Sequence, residues 1–170
     1  RLGGGRLTPY LQGMDWGLFT IFVLACAAAA TTGSMFMPGA WYRGLSKPPW
    51  TPPDWMFPVV WTILYLSSAY AATRVAPLEG SAYAMAFWAM QIAFNTLWTP
   101  VFFGLNRIRA AFFVMIGLWA AVAGTMVSFF MLDWIAGALF VPYLVWVTVA
   151  GALNASVWAR NPGEAAVAAE

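Results

Sequence analysis

This sequence predicts an all-α, multi-pass membrane protein: a bundle of five transmembrane helices. Three observations carry that prediction. The chain is 62% hydrophobic and 18% aromatic but only 8% charged, with a mean hydropathy of +0.73, whereas about a quarter of a soluble domain is charged. Five apolar stretches recur, each near the roughly 20 residues that cross a bilayer as helix. The charged residues fall at the ends of those stretches, in the breaks between them, or in the tails. In lipid such stretches are helices, because every backbone polar group must be satisfied within its own segment.

Residues 1–13 read as a flexible N-terminal tail carrying Arg1 and Arg6, and as a candidate for sequence added to the natural chain. The helical domain is 14–160. Its first span is expected over 16–37, ending at Pro38-Gly39, and the second over 55–76, closed by Arg74 and Pro77. A tight turn at 77–80 leads to the third span, 81–103. The polar turn 104–109 opens the fourth, 108–132. Asp133 breaks the chain again and can cap the fifth, 134–159. Arg160-Asn161-Pro162-Gly163 stops it, and 161–170 form an Ala-rich tail.

With an odd number of spans, Arg43, Lys47, Arg107, Arg109 and Arg160 share one side, opposite Arg74 and the N-terminal arginines. The positive-inside rule puts the five-cation side in the cytoplasm.

Between the first two spans lies W-Y-R-G-L-S-K-P-P-W-T-P-P-D-W-M-F-P-V-V-W, residues 41–61. The pairs Pro48-Pro49 and Pro52-Pro53 fix φ and push the preceding residues to extended backbone, so 47–53 cannot be helix. Trp41, Trp50, Trp55 and Trp61 stud this stiff segment. It is built to lie against something large, flat and apolar, or to anchor at the headgroup level, where Trp and Tyr collect whatever the function.

In the third span, Gln91, Asn95 and Trp98 fall on one face at about 100° per residue, and Ala82, Ala86, Ala89, Ala93 and Thr96 on the opposite one. Small residues at this spacing let helices approach closely in lipid, and a homodimer through this seam is expected. The fourth span has a comparable seam in Gly117, Ala121, Gly124 and Ser128. Gln91 and Asn95 lie in apolar sequence, where a polar side chain faces a bundle interior or a cavity; an interhelical hydrogen bond, worth about 0.6 kcal/mol on average, is the plainer reading. Trp61 and Tyr65 are a turn apart on the second span, and Tyr143, Trp146 and Ala150 share a face of the fifth, with Asn154 a turn further. An indole beside a small residue leaves a slot for a planar ligand, though core packing explains each face singly.

The chain has no histidine, and Cys26 is its single cysteine. That removes Ser/His/Asp and Cys/His triads, zinc motifs, disulfides and the usual axial ligand of haem, so no metal site is expected. A net charge of +2 without a basic run gives no reason to expect nucleic acid. No Asp or Glu lies mid-span, which argues against a proton-coupled pump, and conventional acid–base or covalent catalysis has no agent.

The chain resembles the TspO/translocator family, the tryptophan-rich sensory proteins and peripheral-type benzodiazepine receptors. The resemblance rests on W-Y-R-G-L-S-K-P-P-W-T-P-P at 41–53, F-N-T-L-W-T-P-V-F-F-G at 94–104, P-Y-L-V-W at 142–146 and A-G-A-L-N at 150–154. It implies a pocket under the first loop that takes porphyrins, sterols and isoquinoline-type drugs. The family's pocket residues match Tyr42, Trp61, Asn95, Trp146 and Ala150. With their neighbours, the expected ligand-binding set is Trp41, Tyr42, Lys47, Trp50, Trp61, Tyr65, Asn95, Trp98, Trp146 and Ala150. The implied role is a tetrapyrrole-binding sensor or carrier in a bacterial membrane, with porphyrin or haem as ligand and no required cofactor. Alternatives are light- and oxygen-dependent porphyrin breakdown, with Trp61 and Trp146 as its redox-active residues, and a regulatory scaffold. One departure stands out: the family's sterol motif has a Tyr where this chain has Ala155, between Leu153 and Arg160. Such motifs are weak even when intact.

Without histidine, a haem has only Cys26, Met or Tyr to ligate its iron. Metal-free protoporphyrin should therefore bind at least as tightly as haem, and bound haem should lack a bis-His absorption spectrum. A haem affinity far above that of the free base would contradict this.

Overall fold

A computed structural model describes residues 13–163. These form α1 (Trp16–Met35), a short α2 (Ala40–Gly44), α3 (Met56–Val75), α4 (Ala82–Thr99), a π-helical turn (Pro100–Gly104), α5 (Ile108–Leu132) and α6 (Trp134–Arg160), with no strand among the described residues. The long helices close into a ring in the order α1, α3, α6, α5, α4, so that α4 returns to α1. Arg1 and Arg6, with most of both tails, lie outside the described residues.

Four helices, α1, α3, α5 and α6, have the length and hydropathy to cross a membrane. The sequence count of five apolar spans is thus met for four of them. The helix left out is α4, 18 residues long, which carries Gln91 and Asn95 in its middle. The same region departs again at its end: the expected span 81–103 stops as α-helix at Thr99 and finishes in the π-turn. Pro100 has no N–H to donate. The wider turn, closed by Leu105 N donating to Pro100 O at 2.9 Å, turns Phe102 inward.

The first loop is corrected in one respect. It is not helix over 45–55, as the prolines require, but Ala40–Gly44 upstream of them makes one short helix. This brings Tyr42 and Leu45 down onto Phe102, Ile108, Ala111, Leu153 and Val157, an apolar cluster that seals one end of the bundle.

The seam on α5 receives rings from α4. A Cβ on Gly117 would stand 2.5 Å from the ring of Phe94, and one on Gly124 would stand 2.6 Å from that of Phe87. Only glycine allows so close an approach. The small face of α4 points the other way: Ala82, Ala86, Ala89 and Ala93 are exposed.

Polar ties fasten the two ends. At one, the Asn161 side chain accepts from Ser46 N and donates to Ser46 O, both at 2.9 Å, clasping the first loop to the end of α6. The first loop, the start of α5 and the end of α6 thus share an end, which groups Arg43, Lys47, Arg107, Arg109 and Arg160 as the sequence predicts. At the other end, Asp133 caps α6 as expected, accepting from Ile135 N at 2.8 Å and Ala136 N at 3.1 Å. Its second oxygen meets the Arg74 guanidinium, with Nη2 at 2.7 Å and Nε at 2.9 Å.

Asp133→Ala removes cap and ion pair together. A lost N-cap costs about 1 kcal/mol, and the two charged hydrogen bonds from a part-exposed arginine to one carboxylate oxygen add about as much again, so about 2 kcal/mol should be lost on unfolding in detergent. Asp133→Asn keeps an acceptor for the cap and should lose about half of that; equal losses in the two variants would show that the cap contributes nothing.

Candidate functional site

The inward faces of α3, α4 and α6 converge on Tyr143. Gln91 and Asn95 are one turn apart on α4, and both turn to this hydroxyl rather than to each other. Asn95 Nδ2 donates to Tyr143 Oη at 2.7 Å, and Tyr143 Oη donates to Gln91 Oε1 at 2.8 Å. All three side chains are buried. Trp61 of α3 lies edge-on to the Tyr143 ring at 5.9 Å and, at the i,i+4 spacing of a helix face, tilts against Tyr65 at 5.6 Å. Trp146, one turn along α6, meets Phe57 from the start of α3 at 5.6 Å. Ala150, the next turn of α6, packs with them at the edge of the main core.

Two donors within this arrangement have no acceptor: Gln91 Nε2 and Trp146 Nε1 are both buried and unpartnered. A buried donor left unpaired costs about 1–3 kcal/mol, and two beside one polar hub are unusual in a finished core.

The other expected residues divide between this hub and the end seal. Trp98 is on the same face of α4 but belongs to both regions. Its ring stacks on Phe102 at 5.1 Å and its Nε1 donates to Asn154 Oδ1 at 3.1 Å, while Asn154 Nδ2 donates to Ile108 O. Trp41 and Tyr42 both meet Phe102, at 5.7 and 6.1 Å. Burial pushes the Tyr42 hydroxyl above its usual pKa, reinforced by the Asp54 carboxylate, so it stays neutral at physiological pH. Lys47 turns back on its own loop: Nζ donates to Tyr42 O at 2.7 Å and Leu45 O at 3.0 Å, and lies over the Tyr42 ring. Trp50 is 50% exposed. The structure therefore brings together Trp61, Tyr65, Asn95, Trp146 and Ala150, with Trp41, Tyr42 and Trp98 above them. Lys47 touches that set through Tyr42, with its charge spent on loop carbonyls, and Trp50 is half exposed on the loop.

The sequence puts Tyr143 on the face of Trp146 and Ala150 without naming it in the ligand-binding set, and Phe57 is passed over. Two amide side chains mid-membrane signal that a partner is needed, but the hydroxyl that serves both lies on a helix whose adjacency only the fold supplies.

A separate groove of about 150 Å³ lies on the outer surface between α5 and α6, lined among others by Phe112, Trp119, Thr148 and Gly151. It is too small for a tetrapyrrole, since pockets for drug-sized ligands run to about 300–1,000 Å³.

Residues 16–159 match the TspO/MBR family. The chain is 57% identical over 117 residues to a tryptophan-rich sensory protein of Cereibacter sphaeroides, covering 69% of this chain and 74% of that one. It is 51% identical over 155 residues to protein CrtK of Rhodobacter capsulatus, 89% of this chain and 97% of its relative. Against the human translocator protein it is 33% identical over 150 residues, 84% and 89% of the two chains.

Tyr143→Phe keeps the ring and removes both hub hydrogen bonds. Membrane hydrogen bonds average about 0.6 kcal/mol, but here two buried amides lose their partner at once, so the loss should be about 1–2 kcal/mol. Denaturant unfolding in mixed micelles checks this; an unchanged midpoint would mean Gln91 and Asn95 can pair with each other.

Proposed function

Since the chain belongs to the TspO/MBR family, we propose that this integral, multi-pass membrane protein binds a tetrapyrrole at the Tyr143 hub and acts as a sensor or carrier for it. One observation carries the reading: Gln91 Nε2 and Trp146 Nε1, both buried and unpartnered, lie among the aromatic faces of α3, α4 and α6. A planar ligand with acceptor groups would satisfy those donors while stacking on indole, with Arg43, exposed on the loop, near its carboxylates at the membrane surface. Lys47 is engaged with its own backbone and is the weaker candidate. The names of the relatives, sensory protein and translocator protein, support a sensing or carrying role. Sterol-like or isoquinoline-like apolar ligands fit the same surface. In this reading α4, although Gln91 and Asn95 lower its mean hydropathy, is the fifth span, since it closes the ring of helices.

A second reading has an observation of its own. Trp61 touches both Tyr65 and Tyr143, a set of oxidisable rings beside the site, as light- and oxygen-dependent porphyrin breakdown would use. Under that reading, illuminated protein with protoporphyrin loses porphyrin absorbance, and Trp61→Phe or Trp146→Phe abolishes the loss while weakening binding only modestly. Equal loss in wild type and both variants leaves the binder reading alone.

The test of binding is Ala150→Phe, which fills the slot beside Trp146 without changing charge. Overpacking costs about 1–3 kcal/mol, or roughly tenfold or more in affinity, read by porphyrin titration with tryptophan quenching and absorbance. Unchanged affinity in folded protein would place the ligand outside the bundle.

The exposed alanines of α4 support a homodimer through that helix. Ala86→Leu with Ala93→Leu should shift detergent-solubilised protein to monomer on size exclusion with light scattering, leaving porphyrin binding largely intact; a persisting dimer would move the interface elsewhere.

A further inference from the structure

The groove between α5 and α6 lies outside the ring of helices, away from the Tyr143 hub, and opens to the surroundings of the bundle. Its walls are Phe112, Met115 and Trp119 on α5 and Thr148, Gly151 and Ala152 on α6. From Phe112 to Trp119 it runs about 10 Å along the helix at 1.5 Å per residue. Trp119 Nε1 donates to Thr148 Oγ1 at 2.9 Å across the far end. That bond and the donation of Thr148 to Leu144 O leave the polar groups there satisfied. With its polar groups satisfied and about 150 Å³ spread along that length, the groove is an apolar trough with room for a single hydrocarbon chain.

Its other end is charged. Phe112 packs on Trp158 at 5.6 Å, and the Arg109 guanidinium lies over the same indole at 5.8 Å. Arg109 is exposed and has no carboxylate partner, the Arg74–Asp133 pair being the ion pair found among the described residues. It stands in the first turn of α5, which begins without a side-chain cap, so free backbone N–H groups and the positive end of the helix dipole add to its field. Arg107 and Arg160 lie at the same end. A cation at the membrane surface above a chain-wide apolar trough is complementary to one kind of molecule in a bilayer.

We infer that this face binds an anionic phospholipid, with one acyl chain in the α5–α6 groove and the headgroup phosphate on Arg109. Trp158 is the platform between the two, carrying the guanidinium on its face and bordering the upper part of the chain. The site is independent of the tetrapyrrole reading and stands or falls separately from it.

The experiment is native mass spectrometry of the detergent-solubilised full chain, titrated with phosphatidylglycerol or phosphatidylcholine of identical acyl chains. A basic side chain near the surface contributes about 1 kcal/mol toward an anionic lipid, so the first phosphatidylglycerol should bind about fivefold more tightly than phosphatidylcholine. Arg109→Gln should erase that preference and leave phosphatidylcholine binding unchanged, while Arg109→Lys should restore most of it. Ala152→Leu, on the exposed wall of the groove, should weaken both lipids alike. The inference is overturned if wild type shows no preference, if the preference survives Arg109→Gln, or if Ala152→Leu has no effect. It is also overturned if a sterol displaces phosphatidylglycerol from the wild type at equal concentration, which would assign the groove to a rigid ring system. Arg109 and Ala152 are exposed, and matching elution and helix content would confirm that each variant is folded.

Discussion

The hydroxyl of Tyr143 fixes how the helices of this bundle meet. Between helices in lipid the hydrophobic effect is almost absent, because lipid tails are as apolar as leucine, and association rests on close packing and hydrogen bonds. Gln91 and Asn95 place two amides in the middle of α4, and each needs a partner. One hydroxyl on α6 serves both, which sets the height and rotation of α4 against α6. With those fixed, Phe94 and Phe87 fall on Gly117 and Gly124, and α5 is drawn between the two. A rotation of α4 that kept the glycine contacts but moved Asn95 off Tyr143 would strand a buried amide.

The ends of α6 are fixed by different chemistry. Asp133 holds its start to α3 through Arg74, and Asn161 holds its finish to the first loop through the Ser46 backbone. The helix is thus held at both ends and in its middle. The sixth helix carries Tyr143, Trp146 and Ala150, so the same restraints that build the bundle also position the proposed ligand face. Fold and site depend on the same few polar contacts, and a variant at any of them is expected to affect both.

What the sequence made legible follows from how local each signal was. The spans at 108–132 and near 16–37, 55–76 and 134–159 were readable because hydropathy and helix breakers act within one segment, and Asp133 as a cap for the same reason. The face of Gln91 and Asn95 was readable from periodicity. Their partner was not, since Tyr143 is some fifty residues away and nothing in either segment specifies which helices adjoin. The Arg74–Asp133 pair was missed on the same grounds. The short helix Ala40–Gly44 was hidden by the prolines after it, whose effect on backbone stops at Lys47. Lys47 itself looked like a free cation for a ligand, yet three loop carbonyls at short range satisfy it first. Composition reports that a charge is present, while its geometry decides whether it is available.

The contact of the rings at the hub has a consequence for how a ligand would reach it. Trp61 lies against Tyr143, and Trp146 against Phe57 at the start of α3. Above them Tyr42, Leu45 and Phe102 seal the end. A flat ligand entering from that end would have to separate rings that now touch and displace the loop that covers them. Its proline pairs make 47–53 stiff, so bending concentrates just before them, around Gly44 to Ser46, where the backbone is free of proline and held by the Asn161 clasp. Opening then costs two hydrogen bonds at Ser46 and the burial of Tyr42 and Leu45, both recovered on closing. Lys47, bonded to carbonyls of its own loop, travels with it rather than resisting. The stiff aromatic loop, tied at one clasp, is the cover that the proposed planar ligand would have to displace as a unit.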